Sequence, residues 1–218
     1  MQEHLISALF GLIGVLVGGS ISFGIQFYFL RREENRRRRF ALTCLMEKYG
    51  EILDDLTTLE KGISSRIPDN FDGELWRFVP TLIGEDKKPI NFASEGLSLF
   101  YTKKNSELSM KIKSLASTRN TTYEVQKEYN NKRREIDELC KPHMTHIGRD
   151  LISRIEIEDI REHPDILMAI SNAEALIQQI YMWVKQDLQK GKDLLPAFNQ
   201  ALKDVDGKNT PLKLELQD

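Results

Sequence analysis

The N-terminal part of the chain is apolar almost without interruption. Residues 5–30 carry no charged side chain, and their only clearly polar residues are Ser7, Ser20, Ser22 and Gln26. About 20 apolar residues in a helix cover the ~30 Å hydrocarbon core of a bilayer, so this run is long enough to span it. A buried helix of a soluble protein seldom reaches that length without a charge. The pattern therefore predicts a transmembrane helix over residues 5–30.

Apolar side chains then recur at spacings of three and four in two later segments, which predicts amphipathic helices. The first row is Leu42, Leu45, Tyr49, Ile52, Leu56, Leu59 and Ile63. The second row is Ile166, Ile170, Ala173, Ile177, Ile180, Val184 and Leu188. The first row fits heptad positions, so a parallel coiled coil that extends the membrane helix is one interpretation. Met46 and Leu53 widen this stripe, however, which favours a helix packed in a bundle.

Turn-forming residues dominate residues 64–96, which predicts a loop-rich insertion with a short helix or strand near Leu75–Val79. Helical pattern resumes from about Phe92 and continues through a polar stretch, Arg119–Glu138, whose inward residues are expected to be Tyr123, Tyr129 and Ile136. Pro142 is expected to begin another helix, with a core face of Met144, Ile147, Leu151 and Ile155.

Two glycine or proline positions suggest where the last helices begin and end. Pro164 precedes the second apolar row, in which Leu167, Leu176 and Trp183 are expected to widen the buried stripe. Gly191 is expected to end that helix, as glycine commonly does. A last helix should follow from about Leu195, with its inward face formed by Phe198, Leu202 and Val205.

These patterns together predict an all-α fold, with one N-terminal transmembrane helix followed by a cytosolic helical bundle that contains a loop-rich insertion. The expected divisions are an extracytoplasmic tail at 1–4, the transmembrane helix at 5–30 and a basic juxtamembrane segment at 31–39. The helical domain then covers 40–206, and a C-terminal tail covers 207–218.

Charged residues beside the apolar run predict its orientation. The N-terminal tail contains Glu3 and no lysine or arginine, whereas six arginines follow the run: Arg31, Arg32, Arg36, Arg37, Arg38 and Arg39. Because lysine and arginine concentrate on the cytosolic side, the N-terminus is expected outside and the domain inside, at the inner (plasma) membrane. A cleaved signal peptide would need a basic start and a shorter apolar core. Phe27-Tyr28-Phe29 fits an interfacial aromatic belt.

Small residues form a row along one side of the apolar run. Ser7, Gly11, Gly14, Gly18 and Ser22 are separated by three or four positions, and Gln26 continues the row. Small side chains let two helix backbones approach closely in lipid, and Gly14–Gly18 is a GxxxG motif. Glycine is also simply frequent in membrane helices, so composition is the competing explanation. We expect packing of a second copy against this row, which would make the protein a homo-oligomer.

Other partners follow from the distribution of charge. The six juxtamembrane arginines can contact anionic lipid head groups, and each such contact is worth about 1 kcal/mol. The whole chain has 31 bases and 33 acids, and residues 1–39 contain six of the bases and three of the acids. Residues 40–218 therefore carry more acids than bases. Nucleic acid is therefore not expected as a partner, whereas membrane lipids, and also a protein partner, are.

Few residues suggest chemistry. Cys140, His143 and His146 have the spacing of a weak metal site, with Asp150 or His163 as a further ligand for Zn²⁺. The paired motifs that make zinc sites recognisable are absent, and ordinary surface histidines are the simpler interpretation. No phosphate-binding loop or nucleophile–base pattern occurs, so no cofactor is expected and an enzyme is the less favoured class.

The sequence thus predicts a membrane-anchored, self-associating helical interaction or effector module at the cytosolic face of the membrane. Parts of this kind suit bacterial phage defence, exclusion or immunity. The alternative is a membrane-tethered, metal-dependent hydrolase that uses the Cys140, His143 and His146 cluster.

Overall fold

The computed structural model describes residues 2–69, 71, 73–84, 87–92, 97, 106–146, 153–155 and 162–206, except for the side chains of residues 2–10, 12, 143–146 and 153–155. Three long helices make up most of the described residues: α1 is Gln2–Ser64, α2 is Ser106–Cys140 and α3 is Pro164–Asp206. The predicted all-α fold, with a long apolar N-terminal helix followed by a helical region, is confirmed.

Helix α1 joins the apolar run and the first amphipathic row in a single α-helix of 63 residues. No proline interrupts it, and its glycines weaken an α-helix by only about 1 kcal/mol each. All seven residues of the row from Leu42 to Ile63 are buried, as is Leu53. This row packs mainly against α3 and also against α2 of the same chain. The bundle interpretation is therefore confirmed.

Helix α3 buries the whole second apolar row, but two expectations about it were wrong. Leu167 remains 43% exposed and does not widen the buried stripe. The helix also continues through Gly191 to Asp206. Phe198, Leu202 and Val205 are buried as expected, although they belong to α3 and not to a separate helix.

Gly191 lies where α3 packs closely against both other helices. A Cβ atom at this position would lie 2.4 Å from Leu53 Cδ2 on α1 and 3.3 Å from Leu115 Cδ2 on α2. The hydroxyl of Tyr49 donates a 2.7 Å hydrogen bond to the Gly191 carbonyl, and its ring stacks on Phe198 at 4.4 Å. This glycine therefore permits close packing within a helix and does not terminate one.

The connection between α2 and α3 also differs from the expected helix. Lys141–His143 forms a single 3₁₀ turn, followed by strands β1 (Met144–His146) and β2 (Ser153–Ile155). The strands are antiparallel and pair Met144 with Ile155. Pro142 lacks the N–H that a continued α-helix would need, so α2 stops and the chain becomes extended. The other two members of the predicted core face, Ile147 and Leu151, lie outside the described residues.

The predicted loop-rich insertion follows α1. Its described part contains a 3₁₀ turn at Leu75–Arg77 and is otherwise irregular. Gly84 has φ +105°, a left-handed conformation that glycine adopts without strain. Buried side chains of Val79, Leu82 and Ile90 attach this segment to the core. We call residues 76–92 the strap, because their described parts, 76–84 and 87–92, form hydrogen bonds with α2.

Helices α1 and α3 run in opposite directions. Arg39 near the middle of α1 contacts Asp206 at the end of α3, whereas Ser64 at the end of α1 lies 3.3 Å from the hydroxyl of Tyr181. Helix α3 therefore returns the chain to the level of the arginine cluster. The bundle extends from that level in the direction away from the apolar half of α1.

Candidate membrane-interaction site

The N-terminal half of α1 stands apart from the bundle. Every described side chain from Gly11 to Arg38 is exposed, and Leu42 is the first buried residue of the helix. Large apolar side chains such as Phe23, 70% exposed, and Leu30, 66% exposed, have no cover within the chain. Among the described helices this is the one long and apolar enough to span a membrane. Water would solvate such a helix poorly, whereas lipid would cover it.

The predicted row of small residues lies on this uncovered helix. Apart from the neighbouring backbone of α1 itself, no described atom lies within 4 Å of a Cβ placed at Gly11, Gly14 or Gly18. Ser22 and Gln26 are exposed, and Ser7 lies in α1 with its side chain outside the described set. The row is therefore open to a neighbouring helix or to lipid. Whether a second copy packs there stays a prediction.

A second notch on the same helix was not anticipated from the sequence. Val15, Leu16, Gly19, Ser20 and Phe23 line a shallow groove on a different side from the predicted row. The Ser20 hydroxyl donates a 2.8 Å hydrogen bond to the Leu16 carbonyl, so its polarity is satisfied within the helix. The sequence contains this pattern, because Gly19 lies four residues from both Val15 and Phe23, and Ser20 lies three residues from Phe23. The row of small residues from Ser7 to Ser22 is the longer of the two patterns.

On an ideal α-helix, the glycine row and the bundle face of α1 would lie on opposite sides. Each residue of an α-helix turns by about 100°, so the direction of every position follows from its number. Gly11, Gly14, Gly18 and Ser22 share one direction, and the buried row from Leu42 to Ile63 points roughly 180° away from it. The bundle consequently does not cover the side of α1 that carries the glycines.

The arginine cluster divides into two groups. Arg37 forms a 2.7 Å salt bridge with Glu33, and Arg39 donates bonds of 2.9 and 3.1 Å to the two carboxylate oxygens of Asp206. The hydrogen bond and charge of Asp206 raise the pKa of Arg39. The other four arginines form no ion pair with any described residue: Arg31, Arg32, Arg36 and Arg38.

Arg39 thus has an interaction that the sequence did not reveal. The side chain of Asp206, the last residue of α3, is only 2% exposed, and it forms an ion pair with Arg39 of α1. A cation beside the last carbonyls of a helix also suits the helix dipole. This ion pair joins the end of α3 to α1 just after its exposed apolar half.

The Cys140 cluster is only partly described. Cys140 ends α2, is 1% exposed, and has a pKa raised first by burial and then by the charge of Asp137. His143 lies in the 3₁₀ turn and His146 in β1, and both side chains are outside the described set. Within the described side chains no group of three or more His, Cys, Asp or Glu residues could hold a metal. The metal-site alternative stays untested.

Sequence reasoning missed a buried polar face on α2. Asp55 of α1 accepts hydrogen bonds from the guanidinium of Arg119, which is fully buried, and from Lys87 of the strap at 2.8 Å. Arg119 also donates a 2.9 Å bond to the Lys88 carbonyl, and its guanidinium lies 4.4 Å from the centre of the Tyr123 ring. The network joins α1, α2 and the strap.

Two asparagines of the same face bind the strap in the same way. Asn130 accepts from the Leu82 N–H and donates to its carbonyl, both at 2.8 Å. Asn120 likewise accepts a 2.9 Å hydrogen bond from the Ile90 N–H and donates a 3.0 Å hydrogen bond to the Ile90 carbonyl. Such paired bonds replace the partners that a neighbouring strand would provide. The polar residues of α2 are visible in the sequence, but nothing within α2 itself indicates that the strap covers them.

Comparison with protein-family models, with curated proteins and with solved structures gives no match to this chain.

Proposed function

We propose that this protein is a single-pass membrane module whose helical bundle acts at the cytosolic face of the inner membrane. Two features support the anchor: the exposed apolar helix before Arg31, and the four arginines that have no described ion-pair partner. The excess of arginine on one flank supports a cytosolic bundle and an outside N-terminus. The bundle would then hold a partner protein close to the membrane surface.

We further propose that the module self-associates through the row Gly11, Gly14 and Gly18. The observation that carries this proposal is the open space at these glycines, on a part of α1 that the bundle does not cover. A second copy can approach that part without meeting the bundle. The two α1 helices would then lie at the centre of the dimer, with the two bundles outside.

Anionic lipid is the proposed contact of Arg31, Arg32, Arg36 and Arg38. At about 100° per residue, Arg31 and Arg38 share one side of α1, and Arg32 and Arg36 share another. These two pairs can reach head groups on two sides of the helix, and each contact would add about 1 kcal/mol. Arg37 and Arg39 are proposed as weaker contributors, since both already bind carboxylates.

The experiment for self-association compares two double substitutions. Gly14→Ile with Gly18→Ile fills the row and should remove most of the association signal in a two-hybrid assay for membrane helices. Leu16→Ile with Val17→Ile changes the same segment off the row and should retain it. Gly19→Ile tests the second notch separately. An unchanged signal in the Gly14 and Gly18 variant would refute this interface.

A further inference from the structure

A groove of about 340 Å³ lies between the N-terminal half of α2 and the C-terminal half of α3. Lys111, Ser114 and Thr118 form its α2 wall, at spacings of three and four that share one helix side. Its α3 wall contains Asp187, Lys190 and Asp193. The volume falls at the lower end of the range for small-molecule sites, about 300–1,000 Å³. No role in anchoring or self-association uses this groove.

Asp187 is the unusual residue of the α3 wall. Its side chain is only 4% exposed, yet its ion-pair partner among the described residues is Lys190, 2.9 Å from Oδ1, whose side chain is 61% exposed. Burial of a carboxylate is costly unless charged or hydrogen-bonding partners compensate it. An ionised carboxylate offers about four acceptor positions, and Asp187 uses one of them within the described chain. A ligand ammonium group would offset the cost of burying the Asp187 carboxylate, which the exposed and flexible Lys190 offsets only in part.

The α2 wall offers the opposite chemistry. Lys111 pairs with Glu107 at 2.7 Å, but both side chains are more than half exposed, so this salt bridge is weak and exchangeable. Ser114 is exposed, and its hydroxyl forms no hydrogen bond with a described residue. Lys111 and Ser114 can therefore donate to an anionic group. The groove thus has hydroxyl and ammonium donors on α2, and two carboxylates together with Lys190 on α3.

Apolar side chains complete the groove. Leu115 of α2 and Leu194 of α3 lie between the two polar walls, and Leu194 is partly exposed. Burial of a ligand methylene group against such side chains is worth about 0.8 kcal/mol. The arrangement combines one acceptor for a cation, one donor set for an anion, and an apolar contact.

We propose that this groove binds a free α-amino acid with an aliphatic side chain. The ammonium group contacts Asp187, the carboxylate contacts Lys111 and Ser114, and the side chain packs on Leu194. A zwitterion satisfies both walls at once, whereas a simple amine or a simple carboxylate satisfies only one. The ligand bridges α2 and α3 and thereby stabilises their packing.

The test uses the full-length protein in detergent micelles and three related probes. L-Leucine carries both charged groups, 3-methylbutylamine lacks its carboxylate, and 4-methylpentanoate lacks its ammonium. We expect saturable binding of leucine by calorimetry, a rise in the unfolding temperature, and at least about tenfold weaker binding of each other probe. No saturable leucine binding, or equal binding of all three probes, would overturn the proposal.

Two substitutions and their controls make the test specific. Ser114→Phe fills the groove from an exposed position and should abolish leucine binding without loss of the fold. Ser117→Phe, one turn away and also exposed, is its matched control and should bind leucine normally. Asp187→Asn should weaken leucine binding at least tenfold, whereas Asp54→Asn on the exposed side of α1 should not. A folded Ser114→Phe protein that retains the full affinity would contradict the proposal.

Discussion

Arg119 and Asp55 form an ion pair inside the bundle, with side chains 1% and 6% exposed. Arg119 Nε donates at 3.0 Å to the same oxygen of Asp55 that its terminal Nη2 contacts, so the carboxylate is held by two donors of one guanidinium. Lys87 of the strap binds the other carboxylate oxygen. A single acidic residue of α1 thereby organises α2 and the strap around it.

Removal of one member of this pair should destabilise the bundle strongly. Arg119→Met removes the buried cation beside Asp55 and leaves the half-exposed Lys87 as its remaining ion-pair partner among the described residues, so the free energy of unfolding should fall by about 3–5 kcal/mol. Chemical unfolding of the full-length protein in detergent, followed by circular dichroism, measures this change. Asp55→Asn combined with Arg119→Met should cost less than the two single losses together, because the partners are removed jointly.

Arg37→Met provides the control for that experiment. It removes one partner of a surface salt bridge with Glu33. The side chain of Arg37 is 81% exposed and that of Glu33 is 60% exposed. Such a pair contributes little, so the change should be below about 0.5 kcal/mol. Equal losses for Arg37→Met and Arg119→Met would show that the buried network does not stabilise the bundle.

Gly191 and Gly62 give opposite predictions for the same substitution. Gly191→Ala places a methyl group against Leu53, which is fully buried, and should destabilise the protein by about 1–3 kcal/mol. Gly62→Ala meets no atom within 4 Å in the last turns of α1 and should be neutral or stabilising by up to about 1 kcal/mol. Thermal unfolding of both variants decides the comparison, and a Gly191→Ala protein as stable as Gly62→Ala would contradict the packing described.

The two asparagines predict how the strap can be released. Asn120→Ala or Asn130→Ala removes both hydrogen bonds to one strap residue, so local opening of residues 76–92 should become more frequent. Limited trypsin digestion should then cut after Lys87 several times faster than in the unmodified protein. Asn131→Ala is the matched control, since Asn131 is exposed and contacts only Arg134 in the described hydrogen bonds. Unchanged cleavage in both variants would show that the asparagines do not hold the strap.

Buried tyrosines predict a loss of stability at high pH. Burial raises the pKa of Tyr123 and of Tyr129 to about 12, and also raises the pKa of Tyr49. In the unfolded chain these phenols ionise near pH 10. Their contribution to stability is therefore complete below about pH 10 and is lost as the pH rises through the folded-state values.

Absorbance of tyrosinate during an alkaline titration measures this effect. We expect these three phenols to ionise together with loss of the helical circular dichroism signal. Tyr181 should ionise earlier. Burial raises the pKa of Tyr181, but Lys185 and Ser64 together lower it by more, so the net shift is downward. Ionisation of all tyrosines near pH 10 in a protein that remains helical would contradict the burial of the three.

The sequence predicted those parts of the fold that depend on local pattern. The rows from Leu42 to Ile63 and from Ile166 to Leu188 follow a period that only an amphipathic helix explains, and both are buried. The uncharged run before Arg31 was equally informative. Each of these signals lies within one helix, so no knowledge of its neighbours was needed.

Other features depend on contacts between distant residues and could not be deduced locally. Gly191 looks the same in sequence whether it ends a helix or packs against one, and Leu53, far away on α1, decides between the two. Arg119 and Asn130 look like solvated residues until the strap lies beside them. The partner of Arg39 at Asp206 likewise follows only from the return of α3.

The central claim is that α1 crosses the membrane and leaves the bundle in the cytosol. It can be tested with two reporters fused after Asp218, one fluorescent only in the cytosol and one enzymatically active only outside the inner membrane. Joint replacement of Arg31, Arg32, Arg36 and Arg38 by Gln weakens the charge bias but keeps the bond between Arg39 and Asp206.

For the unmodified fusion we expect membrane attachment that resists alkaline extraction, strong cytosolic fluorescence and no outside enzyme activity. The four-Gln variant should give a mixed orientation, with part of the signal moved to the outside reporter. Outside activity from the unmodified fusion, or its release from membranes by alkaline extraction, would contradict the account.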